Sequence, residues 1–368
     1  VITLFGATGF TGTKIAQKLD ERKILFRIAG RSPAKLAALS AHLASRPEWV
    51  VADAAMPSTF PALFNGTRLL INCAGPFTDL GEKVAAYAAV SGVHYIDTTN
   101  ELGYVYRLSS YADIAKKTGA TLVPACAFEV ALADCAAGLV AVPNCQVDIV
   151  YHLSGVHASR GTRLSALRSL ATSWLSFQNR RWTGIAPGAN NTRFQLISGK
   201  VNAISFPSSE SVTIPRHIPV ESVTVWMTAG KTASFFAPVL LPLFSRFLRS
   251  LPGRLVLWAA GLGRSAPNSQ PRLNDAFEIL VQTTRPDGIR SINITGVDPY
   301  EVTAHIATLA AETINLPGFK GRGILSPAQI FEPRNFFEAA EAWGVRLATD
   351  PNGTSQRKQT ARIGGRRV

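Results

Sequence analysis

The chain opens on VITLFGATGFTG, Val1 to Gly12, an apolar and β-branched run that ends in three glycines, Gly6, Gly9 and Gly12. A strand that runs into a glycine turn and then into a helix suits a nucleotide. The first glycine permits the tight turn, the second lets main chain approach a pyrophosphate, and the third lets the helix pack closely on the sheet. The helix N-terminus, with its unpaired N–H groups, then faces the phosphates. Thr8 and Phe10 lie between the glycines and are assigned to the same binding turn. The spacing is GxxGxxG rather than GxGxxG, a variant met in NADP-favouring branches of this fold.

Working outward, the pattern repeats. Ile15, Ala16 and Leu19 mark one face of a helix, LFRIAG follows as a strand, and Ser32 with Pro33 opens the next helix as N-cap and first helical residue. WVVAD, LLINCAG, VHYIDTT and ATLVPAC are further β-rich apolar runs with helical segments between them. Alternating strand and helix predicts a parallel sheet covered on both faces, an α/β domain of Rossmann type. The residue closing the second strand should be acidic if it reads an unmodified ribose, yet the sequence is AGRSPAKL. Arg31, with Ser32 and Lys35, can grip a 2′-phosphate, so NADP(H) is expected in preference to NAD. At later strand ends, Cys73, Ala74 and Gly75 let main chain approach the coenzyme, Asp53 is placed to meet adenine, and Asp97 belongs to the same edge.

From about Gln146 the pattern changes to a second, mostly antiparallel α+β domain. QVDIVYHLSGV, TRFQLI, KVNAISFP and ESVTVWMTA read as strands, TRLSALRSLATSWLSF as an amphipathic helix, and ILVQTTRPDGIRSINI as a hairpin turning at Pro286, Asp287 and Gly288. Within it lies the most apolar stretch of the chain, residues 235–262. Pro238, Pro242, Arg246, Arg249 and Arg254 argue against a membrane span. Two readings stand: buried helices lining an apolar pocket, which an apolar stripe at helical spacing favours, or an arginine-bearing element lying on a membrane surface or carrier protein.

The chain has 368 residues and a net charge of +14. Residues 141–260 hold 12 Lys and Arg against 3 Asp and Glu, so the excess is concentrated there and suits an anionic partner. No basic helix rich in base-reading side chains accompanies it, so no specific nucleic-acid partner is expected. Four cysteines without a CxxC pair, and no signal-peptide pattern, fit a cytoplasmic setting with peripheral membrane contact left open; a homodimer is also compatible. The histidines show no metal-ligand spacing, and no metal is expected.

In order and spacing, GATGFTG, AGRSPAKL, INCAGPF, GVHYIDTTNELGYV and PACAFEVALADCAAGL resemble the saccharopine dehydrogenase-like family, the group that includes the trans-acting enoyl reductases. SRGT, GVDPYEVTA and GRGILSPAQIFEP resemble its later segments. The resemblance implies a Rossmann domain over 1–140, an inserted α+β substrate domain over 141–295, and a segment, 296–347, returning to the first domain. A basic tail, 350–368, follows. It also implies an NADP-dependent oxidoreductase, with a hydrophobic or carrier-bound substrate of lipid-like kind; a non-catalytic NADP-binding protein on lipid surfaces is the alternative. Relatives carry glycine where this chain has Asn100, which would call for a left-handed conformation there.

No YxxxK pair is present, since Tyr111 is followed four positions on by Ala115. By position, Asp97 and Glu101 after the fifth strand, Tyr104 at the next helix start, Glu129 after the sixth strand and His157 near the domain crossover are the candidates for a chemical role, with Glu101, Tyr104 and Glu129 taken as the catalytic set.

Overall fold

A computed structural model describes residues 1–155, 159–171, 174–186, 188–262 and 275–349. Strands β1 (Ile2–Phe5), β2 (Phe26–Gly30), β3 (Trp49–Val51), β4 (Leu69–Asn72), β5 (His94–Asp97) and β6 (Thr121–Val123) alternate with helices. These are α1 (Phe10–Glu21), α2 (Pro33–His42), α3 (Phe60–Phe64), α4 (Phe77–Ser91), α5 (Leu102–Leu108), α6 (Ala112–Thr118) and α7 (Phe128–Val140). After them come β7 (Gln146–Ser154), α8 (Arg160–Ala171), β8 (Trp174–Gln178), β9 (Arg181–Ile185), β10 (Asn191–Leu196), β11 (Gly199–Ser205), α9 (Glu210–Thr213) and β12 (Ser222–Ala229). Next are α10 (Lys231–Arg249), α11 (Leu251–Leu262), β13 (Ala276–Arg285), β14 (Gly288–Val297), α12 (Pro299–Asn315), β15 (Gly323–Ile324), α13 (Pro327–Ile330), α14 (Pro333–Glu341) and β16 (Arg346–Thr349).

The first sheet has strand order β15-β6-β5-β4-β1-β2-β3, with every pair parallel. The strands are short, and the central ones, β1, β4 and β5, are fully buried, which is what continuous apolar runs such as LLIN dictate when helices cover both faces; the edge strand β3 is exposed at Trp49 and Val51. Register matters more than length here. Phe5 lies level with Ala29 and Asn72, and Asn72 with Asp97, so β1, β4 and β5 end in one row and β2 one residue beyond it. Their following residues, Gly6, Arg31, Cys73 and Thr98, therefore share the carboxyl edge, where ligands bind in such sheets.

The second sheet runs β10-β11-β12-β7-β13-β14-β16, with β8 joined to β12 and β9. It is antiparallel except for β7 beside β12. The hairpin β13–β14 turns at Pro286 and Asp287 into Gly288 at φ +127°. Helices α7 and α12 pack between the sheets, and one apolar core joins Leu4 and Ile71 of the first to Ile149, Ile279 and Ile294 of the second through Leu132, Ala136, Ile306 and Ala310.

Three expectations need correction. The helix read through TRLSALRSLATSWLSF ends at Ala171, and Trp174–Gln178 is a strand paired with β9; Trp174 and Phe177 are buried there, so packing overrides the helical spacing. The returning segment divides: β15 pairs with β6 of the first sheet, whereas β16 pairs with β14 of the second. The apolar stretch of α10 and α11 is not buried as expected. Phe235 is 72% exposed and Leu251 78%, while Ser234, Ala237, Ser245 and Leu248 face inward. His157 and the tail 350–368 lie outside the described residues.

Among the described residues no single helix is long and apolar enough to cross a membrane, although α10 with the start of α11, bent by 88°, has the length and composition together.

Candidate functional site

The glycine turn is built by close contact. A Cβ on Gly6, whose φ is +78°, would stand 2.7 Å from the Ala74 nitrogen, so the first turn and the loop after β4 touch through main chain. A Cβ on Gly12 would stand 2.3 Å from the Gly6 carbonyl oxygen, which holds α1 tight against the turn. At Gly9 the only contact would be the Gly6 carbonyl at 3.2 Å, and its outer side is open. Gly9 is also the N-cap of α1 and has no side chain to cap it, so the first-turn N–H groups point outward unspent. These features fit a pyrophosphate.

Arg31 and Lys35 are exposed beside this turn and carry no ion pair among the described residues. Ser32 caps α2, its Oγ accepting from the Lys35 N–H at 3.4 Å, which leaves its hydroxyl proton free to donate. Thr8 is half-buried, and its Oγ1 lies 3.8 Å from the position a Cβ would take on Gly30 at the end of β2. The donor set is what a 2′-phosphate requires. Asp53 is less available: its Oδ1 accepts from the Ala55 N–H at 2.9 Å, closing its own turn.

Cys73, Ala74 and Gly75 sit at the carboxyl edge as expected, with Ala74 N–H donating to Asn72 Oδ1 at 2.9 Å. Burial pushes the Cys73 thiol up to about 12, so it packs as a neutral group. Phe10 meets the Tyr300 ring edge-on at 4.8 Å. The Tyr300 hydroxyl accepts from the Ser159 N–H at 2.8 Å and lies 2.9 Å from Thr162 Oγ1, tying the glycine turn to the start of α8.

Three sequence candidates prove to be committed elsewhere. Asp97 is completely buried and accepts from Tyr104 Oη at 2.8 Å, Ala125 N–H at 2.8 Å and Thr99 N–H at 3.2 Å. Burial raises its carboxyl to about 6, against the pull of those donors. Tyr104 is equally buried and continues a chain through Tyr95 Oη at 2.8 Å to Asn72 Nδ2 at 3.0 Å. Both side chains are fully buried and hydrogen-bonded to one another, which is how the structure places the residues assigned from sequence to the coenzyme and to proton transfer. Glu101 is 2% exposed, and its carboxylate accepts from Phe77 N–H at 3.0 Å, Thr78 N–H at 2.6 Å, Thr78 Oγ1, and Ser165 Oγ at 2.6 Å. It caps α4 and fastens α8; a carboxylate with four donors is a clamp, not a free base.

Glu129 is different. It is half-buried in the first turn of α7, following β6 at the carboxyl edge, and no other described residue hydrogen-bonds its carboxyl. Burial, with the nearby Glu210 adding to it, raises the group to about 7. Glu210 is fully buried and takes the Tyr151 hydroxyl, which also donates to the Glu129 carbonyl at 3.0 Å. Glu210 and Tyr151 went unnoticed in the sequence because neither lies in a motif. Asn100 has no positive φ. Instead its Oδ1 accepts from Ser208 Oγ and Ser209 N–H, both at 2.9 Å, and clamps the approach to α9, so the left-handed conformation expected there is not needed.

With this geometry in place, comparison with known proteins decides the first domain. Residues 2–123 match the model of the saccharopine dehydrogenase NADP binding domain. The N-terminal third is a saccharopine dehydrogenase-type NADP-binding domain. Among curated relatives, a trans-acting enoyl reductase of Mycobacterium ulcerans is 35% identical over 187 residues, 48% of this chain and 41% of that protein. A probable mitochondrial saccharopine dehydrogenase-like oxidoreductase of Arabidopsis thaliana is 32% identical over 146 residues, 35% of this chain and 32% of that protein. The matched stretches thus span well under half of either relative. Among solved structures, apo saccharopine dehydrogenase (L-Glu forming) of Saccharomyces cerevisiae superposes with a TM-score of 0.59 at 13% identity, over 95% of this chain and 99% of that one, a likeness of fold. The matched residues include the glycine turn and Arg31; the second sheet lies outside them.

Proposed function

We propose that the chain is an NADP(H)-dependent reductase of a hydrophobic enoyl-type substrate, lipid-like or carrier-linked, with Glu129 as the proton donor. The bound coenzyme supplies hydride from its reduced nicotinamide. Gly6, Gly9 and Gly12 shape the phosphate turn, Arg31, Ser32 and Lys35 hold the 2′-phosphate, and Ala74 and Gly75 let the coenzyme lie close along the carboxyl edge. Reduction of a conjugated alkene takes hydride at one carbon and a proton at the next. Glu129 delivers that proton to the second carbon and regains one from solvent.

The observation that carries this reading is the Glu129 carboxyl: half-buried, free of hydrogen bonds from other described residues, and raised to about 7, so that it is substantially protonated at neutral pH and still able to give the proton up. The enoyl choice draws on the name of the mycobacterial relative. A series of enoyl thioesters of increasing chain length, assayed by loss of NADPH absorbance, tests it. Turnover should rise with chain length, and Glu129→Gln should cut it by about 10²–10⁴ while NADPH affinity is kept. Tight NADPH binding with no oxidation by any acceptor of the series would favour the non-catalytic reading instead.

A further inference from the structure

We infer that α10 and α11 form a docking element for the surface of an anionic lipid bilayer. On α10 the residues Phe235, Phe236, Leu240, Leu243, Phe244 and Phe247 are all exposed, at spacings that put them on one stripe. Leu251, Leu255 and Val256 of α11 extend the exposed apolar surface beyond the bend. The opposite side of α10 is held: Ser234, Ala237, Ser245 and Leu248 are buried, Asn191 Nδ2 donates to the Ser234 carbonyl at 3.2 Å, and a Cβ on Gly188 would stand 2.7 Å from Leu241 Cδ1. A helix pinned along one side cannot thread a bilayer, yet it can lay the other side into its interface.

Charge selects the occupant. From Ser222 to Asn274 the sequence contains no Asp or Glu and six Lys and Arg. Of these, Lys231, Arg246, Arg249 and Arg254 are exposed on the same two helices. Apolar side chains flanked by cations, without one acid, match the headgroup boundary of an anionic membrane, where aliphatic stems snorkel and cations meet phosphates. The like-charged equivalent face of a second copy would repel this one. The inference stands apart from the proposed reaction, since it concerns no residue of the coenzyme site.

The test is co-sedimentation of the full chain with phosphatidylcholine vesicles, with and without phosphatidylglycerol. The chain should partition onto the anionic vesicles, and added salt should weaken it. Replacing Phe235, Leu240 and Leu243 together by Gln should lower partitioning on the order of tenfold or more. Arg246→Gln with Arg249→Gln and Arg254→Gln should abolish the preference for anionic lipid. Both variants should keep NADPH affinity, which reports that they fold. Failure of the native chain to partition would overturn the inference, as would partitioning unchanged in the first variant. So would sedimentation velocity showing a native dimer that the Gln substitutions split, because a second copy would then cover the face.

Discussion

Arg31 stands at the end of β2 with its guanidinium in solvent and no carboxylate beside it among the described residues. A cation left unpaired next to a phosphate-binding turn is available to a ligand at little reorganisation cost, and a charge-assisted contact of this kind contributes about 1.5–3 kcal/mol. Arg31→Asp should therefore weaken NADPH binding by roughly 10- to 100-fold and leave NADH binding much less affected. Fluorescence titration with both coenzymes decides it; equal loss for the two would remove Arg31 from the 2′-phosphate. At the same scale, Glu101 shows how position alone misleads. It sits where a catalytic acid would sit in the chain, but Phe77, Thr78 and Ser165 occupy its oxygens. Of the candidate acids, Glu129 is the one whose carboxyl takes no hydrogen bond from another described residue.

At the scale of elements, the contact between α1 and the turn before it determines whether the coenzyme cradle exists. The Gly6 carbonyl lies where a Gly12 side chain would begin, 2.3 Å away, and that oxygen is main chain at a tight turn and unable to swing aside. Gly12→Ala should lower stability by about 1–3 kcal/mol and weaken NADPH binding with it, measured by thermal melting and titration. Gly103→Ala is the matched control. In α5 the added Cβ would approach only the Arg107 Nη1 at 3.7 Å, so the substitution should raise stability by up to about 1 kcal/mol through helix propensity. If both changes destabilise alike, the cradle argument fails. Helix α8 is the other element that positions the site: Tyr300 holds its start beside Phe10, and Ser165 and Arg168 tie it to Glu101 and to Asp79 of α4. It also packs against α10 and α11. The element tied to the glycine turn through Tyr300 is thus the one on which the exposed apolar helices rest.

For the whole molecule, the seam between the two sheets stores acidity. Burial raises Asp97 and Glu129 to about 6 and about 7, and raises Glu210 as well. For a carboxyl raised on folding, the folded state binds the proton more tightly than the unfolded chain. Its stabilising contribution is complete below the ordinary carboxylate range and is lost as pH climbs through the folded value. For Glu129 the window runs from the ordinary range, about 4.3, up to about 7. Across it, the native melting temperature should fall more steeply with pH than that of Glu129→Gln. Parallel melting curves for the two proteins would show that the carboxyl is not held as described.

Local pattern carried much of this protein. Val1–Gly12 and the alternating runs that follow specify a parallel sheet, because a strand, a turn requiring Gly6 at positive φ and an amphipathic helix are each decided within a few residues. The β13–β14 hairpin was legible for the same reason. What sequence could not tell is which partners each group acquires: Asp97 and Tyr104 are hydrogen-bonded to partners 7 to 28 positions away, and Glu101 to Ser165, 64 positions on. Trp174–Gln178 became a strand because β9 and the core claimed it, against its own helical spacing. The same holds for residues 235–262, where periodicity announces an apolar stripe but only the three-dimensional packing of α10 shows which side finds neighbours. Hydrogen bonds, burial and exposure belong to the neighbours a residue acquires on folding, and those neighbours are set by the fold of the whole chain.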